Sequence, residues 1–206
     1  MSYSIVHTGA SRSFPTDHSF LSQAGGTDVL VLLGQPAFQA DPARRAILIE
    51  LHGECLGVHT GETDGTEGSN ALGFARYRNG DDPPSDLVEL VRQPGTLPDA
   101  ITAAQEILTA AGLTVVVCAD MPGRIVDRLV RPKYNAALRF LDEGLATAAD
   151  MDLTCRMGLG YPDGPIERVM RGGLAAHHDI SGALFDAFGT PGYTPARRAT
   201  VAAARR

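Results

Sequence analysis

The first 119 residues carry five short apolar runs, each closed off by Gly, Pro or Asp, and this punctuation limits what they can become. "DVLVLLG" (28–34), "AILIEL" (46–51), "ALGFARY" (71–77), "LVELV" (87–91) and "LTVVVCA" (113–119) have the length and β-branched content of strands. Unbroken runs such as "VLVLL" predict strands buried on both faces, as in a parallel sheet. Between the last two strands, "PDAITAAQEILTAAG" begins with Pro98 and places Ile101, Ala104, Ile107, Leu108 and Ala111 at helical spacing before Gly112. Strand, helix and strand with short joints form a βαβ unit, so residues 1–119 are expected to be α/β.

The pattern changes at Asp120. "DMPGRIVDRLVRPKYNAALRFLDEG" reads as one long helix, capped by Asp120, with Pro122 near its start and Gly144 as its stop. Two residues do not suit its middle, Pro132 and Asn135. "TAAD" (147–150) resembles a capping box with Asp in place of Glu, and the helix it opens should end at Gly158. Pro165 starts a third helix, and "LAAHHDISGALFDAF" makes a fourth before Gly189. Residues 120–206 are therefore expected to be all-α, giving an α/β segment followed by an all-α one.

The formal net charge of −6 argues against a general nucleic-acid binder, since no basic stripe is present to displace phosphate counterions. "PARRATVAAARR" is locally basic and reads as a short frayed tail. No apolar run approaches a membrane span, and "MSYSIVHTGASRS" lacks the apolar core of a signal peptide. Cys55, Cys118 and Cys155 show no CxxC spacing, so a disulfide framework is not expected. These features predict a reduced, cytoplasmic, globular protein.

The helical half resembles the C-terminal domain of the 3-hydroxyacyl-CoA dehydrogenases. Pro122-Gly123, Arg128-Leu129, Pro132, Asn135-Ala136, Glu143-Gly144, Asp150-Met151-Asp152 and Gly158 to Pro165 follow the family pattern in order, and "FGTPGYTPARR" resembles its ending. The resemblance implies a shortened Rossmann-like sheet (1–119) followed by a 6-phosphogluconate-dehydrogenase-like helical domain (120–206), as in the distal half of the long two-part enzymes. It implies an acyl-CoA ligand, NAD as cofactor, and a homodimer or association with a full-length dehydrogenase. It also implies that Asn135 holds the acyl oxygen, a role that suits a neutral donor. Pro132 would bend the helix and shape a cleft. Without the resemblance, Asn135 reads equally well as a solvated helix residue and Pro132 as a plain kink.

The sequence departs from the family at two places. No GxGxxG follows a strand, so by motif this chain has no nicotinamide site; "HTGASRS" (7–13) holds a single glycine. The family's catalytic His stands twelve residues before a Glu. Glu89 occupies the Glu position, but Tyr77 stands twelve residues earlier, and a two-residue shift gives Ala75. A tyrosine titrating near ~10 cannot replace an imidazole. Glu89 would then support a base supplied elsewhere.

Other groups read more plainly. His52, Cys55 and His59 lie close in "HGECLGVHTGE" with Glu54 and Glu62, but the glycines disfavour a rigid metal-binding helix, and no metal is expected. The acids of "RNGDDPPSD" read as solvated, and of the adjacent His177 and His178 one should face the surface. Leu138, Leu141, Leu145, Met157, Met170, Leu184 and Phe185 are expected to form exposed apolar faces suited to a dimer. Two functions follow: a 3-hydroxyacyl-CoA dehydrogenase of fatty- or aromatic-acyl breakdown, or a non-catalytic acyl-CoA-binding or dimerising subunit beside a full-length enzyme.

Overall fold

A computed structural model describes residues 1–34 and 37–206. The expected runs are strands, preceded by one more: β1 (Tyr3–Thr8), β2 (Val29–Gly34), β3 (Ala46–Glu50), β4 (Ala71–Arg76), β5 (Leu87–Arg92) and β6 (Thr114–Ala119). They form one six-stranded sheet in the order β1-β2-β3-β4-β5-β6. Strands β1 to β4 are parallel, but β5 runs antiparallel to β4, and β6 is parallel to β5. The expected parallel sheet is thus corrected to a mixed one. The short 77–86 link has no crossover helix, and only an antiparallel return suits such a link.

Two short helices, α1 (Ser19–Ser22) and α2 (Gly57–Thr60), lie in the connections. Helix α3 (Pro98–Ala110) links β5 to β6 and buries Ala100, Ala103, Ala104, Ile107 and Leu108 against Leu48, Leu72, Phe74, Val88 and Leu90. Its small alanines let it lie close on the sheet, while Ile107 and Leu108 each contribute about 1.5–3 kcal/mol by burial. Leu32, Ile47, Ile49, Leu51, Leu56 and Val91 make a second, smaller cluster.

The helical elements are α4 (Val126–Asp142), α5 (Ala148–Leu159), α6 (Pro165–Arg171), α7 (Leu174–Phe188), a 3-10 turn (Pro191–Tyr193) and α8 (Arg197–Ala203). Tyr134, Ala137, Leu138, Ile166, Val169 and Ala196 form their core. The chain divides into two compact units, Met1–Arg78 with Pro84–Arg124, and Ile125–Arg206 with Asn79–Pro83.

Several expectations for the helical half are corrected. Helix α4 starts at Val126, because Gly123 and Arg124 both take positive φ and interrupt any helix from Asp120. Asp120 caps α2 instead, accepting the Leu56 and Gly57 amides at 2.8 Å each. Thr147 caps α5 as expected, accepting the Asp150 amide, but α5 runs past Gly158 to Leu159 and ends at left-handed Gly160. The basic tail is no frayed end: α8 packs on the helical unit with Ala196 and Ala199 buried, and Asp142 holds Arg198 at 2.6 Å. Asp82 is not simply solvated, since Arg171 Nε donates to both its oxygens at 3.1 and 2.9 Å. Leu138 and Leu184 are core residues and Leu141 packs against the core, while Leu145, Met157, Met170 and Phe185 remain exposed.

Candidate functional site

In the sheet unit, Glu89 lies on β5 directly opposite Ala75 of β4. The side chain facing Glu89 across the ladder is therefore a methyl group, with no proton acceptor. Glu89 is buried, and it has a partner the sequence did not reveal: Arg124, whose Nε stands 3.4 Å from Glu89 Oε2. Arg124 also donates Nη2 to the His52 carbonyl at 2.8 Å, and it holds φ at +48°. Such a conformation costs a non-glycine residue about 1–3 kcal/mol and persists only where the surroundings fix it. A buried ion pair and a carbonyl bond are two such restraints. Removing Glu89 would leave the buried Arg124 charge without its carboxylate.

The His52 to Glu62 region adds no nucleophile. Burial first, then the Asp120 carboxylate, pushes the Cys55 thiol up to about 11. Burial first, then Glu89, does the same to Cys118. Both thiols are protonated near neutrality, and it is the thiolate that attacks. His59 Nε2 meets Glu54 Oε1 at 3.1 Å as a partly exposed pair. Among the described residues no group of three or more His, Cys, Asp or Glu could hold a metal ion.

No GxGxxG turn follows a strand here to hold a nicotinamide dinucleotide. Doubly wound sheets bind one in the crevice where the strand order reverses, beyond the carboxyl ends of the strands. Here the order β1 to β6 runs in one direction without reversal. Ser11, Ser13 and Phe14, in the segment after β1, are buried at the carboxyl ends of the strands. Glu50 at the end of β3 accepts Ser11 Oγ at 2.9 Å and the Ser13 amide at 2.6 Å. Arg76 at the end of β4 donates Nη1 to the Ser13 carbonyl at 3.0 Å, and its guanidinium lies over the Phe14 ring.

In the helical unit, Asn135 is fully buried, which overturns the reading of a solvated helix residue. Its Nδ2 donates to Ser181 Oγ at 3.2 Å and to the Gly192 carbonyl at 3.1 Å. Its Oδ1 accepts His177 Nε2–H at 2.9 Å and the Ala196 amide at 3.1 Å. Both N–H groups are spent, leaving no donor for a ligand oxygen in this arrangement. His177, buried in α7, accepts Arg131 Nη1–H at Nδ1 over 3.4 Å. Arg131 in turn pairs with Asp127 at 2.7 Å. Burial, and next the Arg131 charge, lower His177 to about 3, so the ring is neutral with its proton on Nε2. Glu89 and Asn135, the two residues singled out in the sequence, belong to different units.

Residues 123–205 match the family model described as "3-hydroxyacyl-CoA dehydrogenase, C-terminal domain". The human mitochondrial hydroxyacyl-coenzyme A dehydrogenase is 36% identical over 85 residues, which are 41% of this chain and 27% of that protein. The 3-hydroxybutyryl-CoA dehydrogenase of Mycobacterium tuberculosis is 36% identical over 110 residues, 53% of this chain and 38% of that one. The chain thus matches less than half the length of either relative. Among solved structures, M. tuberculosis FadB2 superposes with a TM-score of 0.71 at 22% identity, covering 86% of this chain and 66% of that chain. (S)-3-hydroxybutyryl-CoA dehydrogenase PaaH1 from Ralstonia eutropha gives 0.71 at 21%, covering 87% and 66%. These likenesses extend the shared fold to the sheet. Residues 123–205 are a 3-hydroxyacyl-CoA dehydrogenase C-terminal domain, and the chain that carries them is related to that family.

Proposed function

We propose that this chain is an acyl-CoA-handling relative of the 3-hydroxyacyl-CoA dehydrogenases, acting in fatty- or aromatic-acyl breakdown in the cytoplasm, with an incomplete nicotinamide site of its own. The observation that carries this reading is the pairing of the family's helical domain with a sheet whose strand order never reverses. Asn135 then acts as a positioning residue that fixes α4 to α7 and to the 191–196 segment. Glu89 holds Arg124 and, through it, the loop carrying His52.

A second reading makes the chain a non-catalytic acyl-CoA-binding or dimerising subunit beside a full-length dehydrogenase. Ala75 opposite Glu89, where a proton acceptor would be needed, favours it. The exposed Leu145, Met157, Met170 and Phe185 offer apolar surface for a second copy or for the larger enzyme. Calorimetric titration with acetoacetyl-CoA tests acyl-CoA binding, and an NADH oxidation assay on the same sample separates the two readings. Turnover by the chain alone contradicts the incomplete nicotinamide site; binding without turnover supports the proposal, and restoration of turnover by a full-length dehydrogenase favours the subunit. No binding of acetoacetyl-CoA contradicts the first reading and leaves only a dimerising subunit.

A further inference from the structure

The Glu50 carboxylate receives three hydrogen bonds inside the sheet unit. Ser11 Oγ–H and the Ser13 amide donate to Oε1, at 2.9 and 2.6 Å. The Gly34 amide, at the end of β2, donates to Oε2 at 2.8 Å. Glu50 itself is almost entirely buried. Its strand is otherwise "AILI", so an acid at this position is costly unless its oxygens are satisfied.

The donors are held in place by local features. Gly34 takes φ +78°, and a Cβ there would stand 1.9 Å from the Thr8 carbonyl oxygen, so only glycine lets β2 end against β1. Ser11 Oγ, while donating to Glu50, accepts the Phe14 amide at 2.9 Å. Ser13 is fixed from the other side, its Oγ accepting the Arg76 amide at 3.3 Å. Backbone and hydroxyl donors converging at the carboxyl ends of parallel strands make an anion-binding concavity.

We infer that the carboxyl end of this sheet is an anion cradle that the chain fills with its own Glu50 carboxylate, where a dinucleotide enzyme would admit an external anion. The inference deepens the incomplete nicotinamide site of the proposed function and rests on that reading. It supplies the physical reason: the donors are already satisfied, and the Ser11–Phe14 segment they hold covers the strand ends.

Small carboxylates test it. Glu50→Ala leaves the donors facing a cavity of carboxylate size, and its thermal midpoint should fall on the order of 5–10 °C. Formate or acetate should restore that loss saturably against a chloride control of equal ionic strength, while the wild-type midpoint does not respond. Glu50→Gln fills the cavity but turns an amide toward the donors, so it should be destabilised without rescue; rescue of both variants alike would overturn the cradle. Should Glu50→Ala fail to fold in chloride, folding during refolding into formate is the expected result, and failure in formate as well overturns the inference. Absence of rescue overturns the cradle alone and leaves the proposed function standing. Saturable binding of NADH to the wild-type chain, followed by its fluorescence, overturns the cradle and the incomplete nicotinamide site together.

Discussion

Tyr193 donates its hydroxyl to the Arg128 carbonyl over a long 3.4 Å contact. That carbonyl lies four residues before Pro132 and lacks its usual partner, because proline has no amide hydrogen. A Cβ on Gly192 would touch the Pro132 ring at 3.4 Å, and Asn135 bonds the Gly192 carbonyl and the Ala196 amide. The proline and the amide in the middle of α4 thus serve the same neighbour, the 191–196 segment.

Tyr193 and Pro132 should therefore be energetically coupled. Tyr193→Phe is expected to cost about 0.5–1 kcal/mol in the wild-type background. In a Pro132→Ala background the helix supplies its own amide to Arg128, and most of that cost should vanish. Urea denaturation of the four members of the cycle measures the coupling.

Asn135→Ala would leave the His177 Nε2–H and the Ala196 amide without their acceptor inside the core. The expected loss is about 2–4 kcal/mol. Limited proteolysis should cut the variant first within 190–206, because the segment loses two of its anchors. Cleavage no faster than in wild type would contradict the positioning role.

His177 predicts an acid-sensitive helical unit. Its folded value of about 3 lies below the ordinary 6.5, so the unfolded chain binds the extra proton first. The stability it contributes is complete above about pH 6.5 and is lost as pH falls toward 3, at up to about 1.4 kcal/mol per pH unit. His177→Gln, which can still accept from Arg131 and donate to Asn135, should flatten that slope. Equilibrium denaturation of both proteins from pH 4 to 7 reads the difference.

Gly80 takes φ +60°, and a Cβ there would meet the Gly172 Cα at 2.9 Å. Gly80→Ala should destabilise by about 1–3 kcal/mol through strain and contact together. Asp82 and Arg171 pair beside this contact, so hydrogen exchange in the 79–83 loop should rise in the variant.

Periodicity located β2 to β6 and the helices α3 to α7, because each has its own apolar run or face and its own Gly, Pro or Thr boundary, but it did not mark β1. It carried no strand direction, and so missed the reversal at β5, although the short 77–86 link held that information. Asp120 misled because a capping side chain is recognised by type, whereas the amides it caps, at Leu56 and Gly57, lie far back in the chain. The partners of Glu89 and Asn135 were hidden for the same reason. Arg124 and His177 reach them through tertiary packing, which no local pattern records. Glu50 left one readable sign, a lone acid closing an otherwise apolar strand.

Equilibrium dialysis of the wild-type chain with acetoacetyl-CoA and NADH in the same chambers shows directly which of the two ligands it holds. Acetoacetyl-CoA should be retained by the protein, and NADH should distribute equally across the membrane, as an acyl-CoA-handling chain with an incomplete nicotinamide site requires. Saturable retention of NADH, with acetoacetyl-CoA reduced by the chain alone, would contradict it.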